Sequence, residues 1–269
     1  MDLGDERKLL EELREIAEAA GTAIMAVYDS DFAVELKDDS SPLTAADRAS
    51  HQIIRDGLAT LESAVPVLSE ESPAEEVQDR AEWECFWLVD PLDGTKEFVK
   101  RNGEFTVNIA LIENNRATIG IVLAPALGVE YRGALGSGAW RCGTDGLSVP
   151  ISVSTPHAQP PRVVGSRSHP SAALAGFLEA MGPHELKPMG SSLKICLVAD
   201  GQADVYPRLG PTCEWDTAAA QAILESAGGG MMDMAGQPLR YNTKDDLLNP
   251  HFLAFGDHGR DWLQAVRSD

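Results

Sequence analysis

An apolar run that ends in two carboxylates three positions apart governs what this 269-residue chain can become. Trp87, Leu88 and Val89 lead into Asp90, Pro91, Leu92, Asp93, Gly94 and Thr95. A short continuous apolar run bounded by turn residues reads as a buried strand. Acids delivered to its carboxyl end, with Gly and Thr opening a helix just beyond, set oxygen ligands beside backbone N–H groups. Hard divalent cations such as Mg2+ take a few such carboxylates together with substrate phosphate and water. The stretch predicts a place where metal and phosphate meet. Asp90, Asp93 and the main-chain carbonyl of Leu92 would share a cation there, while Gly94 and Thr95 face the phosphate.

Three further acids are candidates for the same place, each with a plainer use. Glu70 and Glu71 follow the short apolar strand Val65 to Leu68, at the strand end where open α/β sheets hold ligands. An acidic pair before Ser72 and Pro73 is also an ordinary solvated turn. Asp47 stands three residues after Thr44, where it serves as the reciprocal acid of a helix cap or as part of the site. Asp216 sits between Trp215 and an apolar helix, where the helix dipole favours a carboxylate with or without a metal. Two cations bridged and flanked by such acids are a standard arrangement for activating water in phosphate ester hydrolysis.

The remaining organisation is that of a soluble α/β protein. Helical spacing covers Leu9 to Val27 and Ala45 to Leu58, and β-rich runs cover Phe105 to Ile112, Ala117 to Ala124 and Val129 to Gly133. These make residues 1–158 a unit of two helices on an antiparallel sheet that carries most of the acids. Beyond the Pro-rich segment Thr155 to Pro161, short strands at Arg162 to Val164, Ala203 to Tyr206 and Leu253 to Phe255 alternate with helices near Ala172 to Met181, Leu193 to Ala199 and Thr217 to Ser226. That pattern predicts a second α/β unit over residues 159–269. Forty-two acids against 22 lysines and arginines give a formal charge of -20, which repels nucleic-acid polymers and anionic lipid. The charged start lacks the apolar stretch of a secretory leader and no apolar run reaches spanning length, which predicts a cytoplasmic protein with no integral membrane segment. Cys85, Cys142, Cys196 and Cys213 have no metal or disulfide spacing and are expected to be reduced thiols.

Candidate substrate contacts lie in the second half. Gly165 to His169 follows a strand and precedes a helix, and Gly190, Ser191, Ser192, Leu193 and Lys194 repeat that layout. Arg208 adds a fork that matches phosphate geometry. In so acidic a chain, Arg167, Lys194 and Arg208 near turns suggest an anionic ligand.

Taken together, Asp90 to Thr95, Glu70 with Glu71 upstream and Trp215 with Asp216 downstream resemble the lithium-sensitive, magnesium-dependent phosphatases of the inositol monophosphatase family. The wording of Val67 to Glu71, Gly94 to Phe98, Arg101 to Asn108 and Gly190 to Cys196 looks like its branch of 3'(2'),5'-bisphosphate nucleotidases. Similarity runs from about Leu9 to Phe255. The resemblance implies a layered αβαβα sandwich, with Glu70, Asp90, the Leu92 carbonyl, Asp93 and Asp216 binding two or three Mg2+ ions. It implies that Thr95, bonded to Asp47, and Glu70 activate water. It also implies that Asp93, Gly94, Thr95, His169, Ser191, Lys194, Arg208 and Asp216 contact substrate. Cys213 and Glu214 differ from the expected wording before Trp215. The expected reaction is hydrolysis of adenosine 3',5'-bisphosphate, and of its 5'-phosphosulfate relative, with Ca2+ and Li+ inhibitory. Rival readings are an inositol or sugar monophosphatase and a non-catalytic nucleotide and cation sensor. The resemblance leaves monomer and homodimer open, and suggests peripheral attachment to the inner membrane for some relatives.

Overall fold

A computed structural model describes residues 3–30, 34–36, 42–61, 65–167 and 171–265. Helix α1 spans Leu3–Tyr28 and α2 spans Ala45–Ala59, with the small hairpin β1 (Val34–Leu36) and β2 (Pro42–Thr44) between them. Of the polar loop expected over residues 37–42, residues 37–41 lie outside the described residues and Pro42 opens β2; the side chain of the expected cap Thr44 also lies outside them. Seven strands then form one sheet in chain order: β3 (Val67–Ser69), β4 (Cys85–Asp93), β5 (Thr106–Glu113), β6 (Arg116–Ala124), β7 (Val129–Ala134), β8 (Gly138–Cys142) and β9 (Ser148–Ile151). Helix α3 (Thr95–Val99) leaves the end of β4. All neighbours in this sheet are antiparallel except β3, which runs parallel to β4.

The second half supplies β10 (Arg162–Ser166), α4 (Ala172–Met181), β11 (Glu185–Met189), α5 (Leu193–Ala199), β12 (Val205–Arg208), α6 (Ala218–Ser226), β13 (Gly230–Asp233) and β14 (Phe252–Phe255). Its sheet runs in the order β11, β10, β12, β14, β13. Strand β12 begins and ends two residues later than the sequence indicated, bringing Arg208 into the strand end.

Side-chain alternation builds the layers, because successive strand residues face opposite sides. On β4, Trp87 and Val89 join the core made with α1 and α2, while Phe86 and Leu88 join the one made with α5 and α6. The same central core takes Val164, Tyr206, Phe252 and Ala254 from the five-stranded sheet. The far face of that sheet packs Val163, Val205 and Leu253 against Phe177 of α4 and Trp262. The order is helices, sheet, helices, sheet, helices: the expected αβαβα sandwich. No helix among the described residues is long and apolar enough to cross a membrane.

The central helix α6 lies unusually close to the first sheet. A Cβ placed on Gly120 of β6 would fall 2.2 Å from the carbonyl oxygen of Ala219. Backbone cannot yield there as a flexible side chain can, so Gly120→Ala is expected to destabilise the protein by about 1–3 kcal/mol or more, read as a lower urea midpoint. An unchanged midpoint would mean that the helix can withdraw freely.

Candidate active site

The acidic ends of β3 and β4 come together because those two strands are parallel neighbours. Ser69 is in register with Val89, and the Glu70 N–H donates to the Val89 carbonyl at 3.1 Å. Glu70 is thereby set beside Asp90. Asp90 is opposite Asn108 of β5 and Asp93 opposite Thr106, so three steps on β4 match two on β5. This bulge, at Pro91 and Leu92, takes one residue out of the ladder. Leu92 is among the residues that line the cleft. Gly94 then turns the chain at φ 90°, a left-handed conformation that favours glycine, and Thr95 opens α3.

From the second half, Asp216 enters just ahead of α6. Its Oδ2 accepts from the Thr212 hydroxyl at 2.5 Å and from the Cys213 N–H at 2.8 Å. Carboxylate oxygens of Asp90, Asp93 and Asp216 all lie within 4.8 Å of one another. Glu70 lines the same cleft at the edge of that compact trio. Asp47 is buried on the first turn of α2. One turn on, the Ser50 hydroxyl donates to the Pro91 carbonyl at 2.7 Å, which holds that face of the helix against the β4 bulge.

Crowding and burial show in the acids. Burial, then the charges of Glu70, Asp93, Asp216 and Asp47, push the Asp90 carboxyl well above the usual carboxylate range. Asp93 is pushed up to about 7, by burial first and next by Asp216, against the opposing pull of Lys194 and the Ser192 N–H. Three oxygen-bearing acids that repel one another at this spacing fit a hard divalent cation, which would neutralise them.

The cations Lys194 and Arg208 line the same cleft. Lys194 is buried on α5, its Nζ donates to the Ser191 carbonyl, and it lies 5.6 Å from the Tyr206 ring centroid. Burial lowers it to about 8 despite the nearby Asp93. Arg208 donates from Nη2 to the Pro211 carbonyl at 2.5 Å, and its buried Nε has no partner among the described residues. Ser191 lines the same cleft. His169 lies outside the described residues. Arg167, counted among the anion-binding cations, is already committed: its fork holds Glu104 at 2.8 and 2.7 Å, and the same carboxylate accepts from the Gly190 N–H at 2.7 Å. Glu104 and Arg167 thus fasten the Ser191 segment to the β4 side.

Sequence reasoning missed the polar layer beneath Asp93. Ser192 gives its N–H to Asp93 at 2.6 Å, and its hydroxyl lies 2.8 Å from both Thr106 and Asn108. The available signal was two polar residues on one face of β5, whose next positions on that face are Ala110 and Ile112.

The cleft, about 260 Å3 and lined also by Gly94, Thr95, Lys96, Thr212 and Thr217, adjoins a second cavity of about 300 Å3. The two share Ser166, Tyr206 and Arg208, and the second is walled by Leu174, Pro207, Leu209 and Pro211.

The chain is similar to known proteins over nearly its whole length. The inositol monophosphatase family model matches residues 5–258. The 3'(2'),5'-bisphosphate nucleotidase CysQ of Escherichia coli K12 is 50% identical over 248 residues, covering 91% of this chain and 98% of that protein. The protein of the same description from Salmonella typhimurium is 51% identical over 249 residues, with the same coverage of each. Among solved structures, CysQ from Bacteroides thetaiotaomicron superposes with a TM-score of 0.79 at 39% identity, over 93% of this chain and 97% of that one. The chain belongs to the inositol monophosphatase family, whose members are magnesium-dependent.

Proposed function

We propose that the chain is a phosphatase that removes the 3'-phosphate of adenosine 3',5'-bisphosphate, and of its 5'-phosphosulfate relative, with Mg2+. The observation that carries this is the compact trio Asp90, Asp93 and Asp216 lining one cleft together with Lys194 and Arg208. The relatives named as 3'(2'),5'-bisphosphate nucleotidases support the substrate. The apolar cavity continuing past Arg208 supports it too, since a nucleoside needs room that an inositol ring does not.

In this reading Glu70, Asp90, Asp93, Asp216 and the Leu92 carbonyl would hold two or three Mg2+ ions. When bound, the ions would supply Lewis-acid stabilisation of phosphoryl oxygens and a more acidic water. Thr95, at the opening of α3, would orient the attacking water, with Asp47 and Glu70 taking up its proton. Gly94 and Thr95 would offer main-chain N–H groups to the 3'-phosphate. Ser191, Lys194, Arg208 and, in the family pattern, His169 would bind the rest of the nucleotide. Ca2+ would compete for the carboxylates and Li+ would inhibit. Residues 1–158 and 159–269 would divide the labour, acids from one side and nucleotide contacts from the other. Packing of α6 on the first sheet means that this division is no place to cut the chain.

The test is phosphate release with Mg2+ from adenosine 3',5'-bisphosphate against inositol 1-phosphate. Preference for the nucleotide is expected, and equal or reversed preference would refute the assignment. Lys194→Met should raise KM for the bisphosphate by about 10- to 100-fold, the range for one charge-assisted hydrogen bond, while 3'-AMP suffers less. Because Lys194 is lowered to about 8, bisphosphate binding by the wild type should weaken as pH rises past that value. The variant's KM should lack that weakening.

A further inference from the structure

We propose that Asn108 is a positioning residue for the cation site, acting through Ser192 on Asp93. The inference rests on the reading of Asp93 as a cation ligand. Asn108 is 1% exposed and lies opposite Asp90 in the β4–β5 ladder, where directly opposed side chains share a face. Its amide oxygen accepts from the Ser192 hydroxyl at 2.8 Å. A hydroxyl has one proton to give, so the 2.8 Å contact between Ser192 and Thr106 has Thr106 as donor, in preference to its longer 3.4 Å contact with the Ser191 hydroxyl. The result is a one-way relay from Thr106 to Ser192 to Asn108, which fixes Ser192 at the mouth of α5.

Ser192 in turn holds Asp93, its N–H reaching Oδ2 at 2.6 Å. Ser191, the residue before it, has φ 43°, an unfavourable conformation for a residue with a Cβ. Something must hold the main chain there, and the side chain of Ser192 is tied on two sides. The relay aims one main-chain donor at one carboxylate oxygen, which settles how Asp93 presents itself to Asp90 and Asp216.

The other end of the amide is unspent. Asn108 Nδ2 is buried and has no partner among the described residues. Buried donors are rarely left unpaired in native proteins. This one shares its face with Asp90, so it is placed to give a hydrogen bond to a carboxylate or an oxygen that settles when a cation is present. Partners of this kind, which orient ligands without touching the metal, typically carry a 10- to 100-fold effect on metal affinity.

The experiment is calorimetric titration of Mg2+ into the metal-stripped full-length protein, with no substrate, alongside thermal melts. Asn108→Leu and Ser192→Ala should each weaken Mg2+ binding by about 10-fold or more. Ser192→Thr, which keeps the hydroxyl, should remain within about twofold of wild type. The double variant should be no weaker than the worse single one, as members of one network are not additive. If Asn108→Leu does not fold, the Ser192→Ala and Ser192→Thr pair decides. Lower melting temperatures with Mg2+ affinity unchanged in Ser192→Ala would show a merely structural role and overturn the inference. Silence of the wild type itself would overturn the cation-site reading first, and this inference with it.

Discussion

Asp93→Asn should lower phosphate release by about 10^2- to 10^3-fold, the scale seen when one preorganised charge-stabilising group is lost, and should make the metal-free protein more stable. The opposite signs come from one cause. Asp93 is pushed up to about 7 from an ordinary 3.8, so its folded pKa exceeds its unfolded one. The stability tied to its neutral form is fully present below 3.8 and is lost as pH rises through about 7. At pH 8 without cation, the ionised group costs roughly 2–4 kcal/mol. Asparagine is neutral at every pH and still offers an oxygen to the Ser192 N–H. Melts in EDTA at pH 5 and 8 check this: the variant should exceed wild type mainly at pH 8, and Mg2+ should stabilise wild type far more than the variant. A variant that is active, or less stable than wild type in EDTA at pH 8, would remove the cation role of Asp93.

The largest loss of stability is expected at a carboxylate far from the chemistry. Asp204 is fully buried, and it accepts from the Arg162 main chain at 2.7 Å, from Arg162 Nε and Nη2 at 3.0 and 2.8 Å, and from the Ala158 N–H at 3.2 Å. These bonds tie the Pro-rich segment between the halves to the start of β10. Asp204→Ala strands the Arg162 fork and two main-chain donors, and should cost about 3–5 kcal/mol in urea unfolding at neutral pH. Burial raises the Asp204 pKa, but the Arg162 and Ala158 bonds outweigh it and hold the group below its ordinary 3.8. Its stabilisation is present above that value and lost as pH falls through the lower folded one, so wild type and variant should converge in acid. A gap that persists unchanged at pH 2 would mean that charge is not its source.

The apolar run before Asp90 was readable because its signal is local: a continuous hydrophobic stretch, a Pro, then a Gly that the turn requires. Glu70 and Asp216 were readable as strand-end and helix-start acids. Their convergence was not, since it depends on β3 lying parallel to β4 and on α6 lying between the sheets. Strands β8, β9, β11 and β13 are not legible because Gly, Pro and charged residues interrupt their apolar positions, and the apolar residues Leu186 and Val149 that two of them carry face solvent instead of a core. The ion pair of Arg167 is illegible for a similar reason. Its partner Glu104 is 63 residues away, and no periodicity announces such a pair. Ser192 was seen only as part of a Gly-Ser-Ser turn, although its partners on β5 give it a specific place.

The siting of Asp216 limits how such a catalyst could change. That acid stands at the threshold of the helix wedged between both sheets, where Gly120 leaves no slack, so moving it would mean rebuilding the interior. The wall formed by Leu174, Leu209 and Pro211 carries no such burden. New substrate preferences should therefore arise along that outer wall, with the acids left untouched.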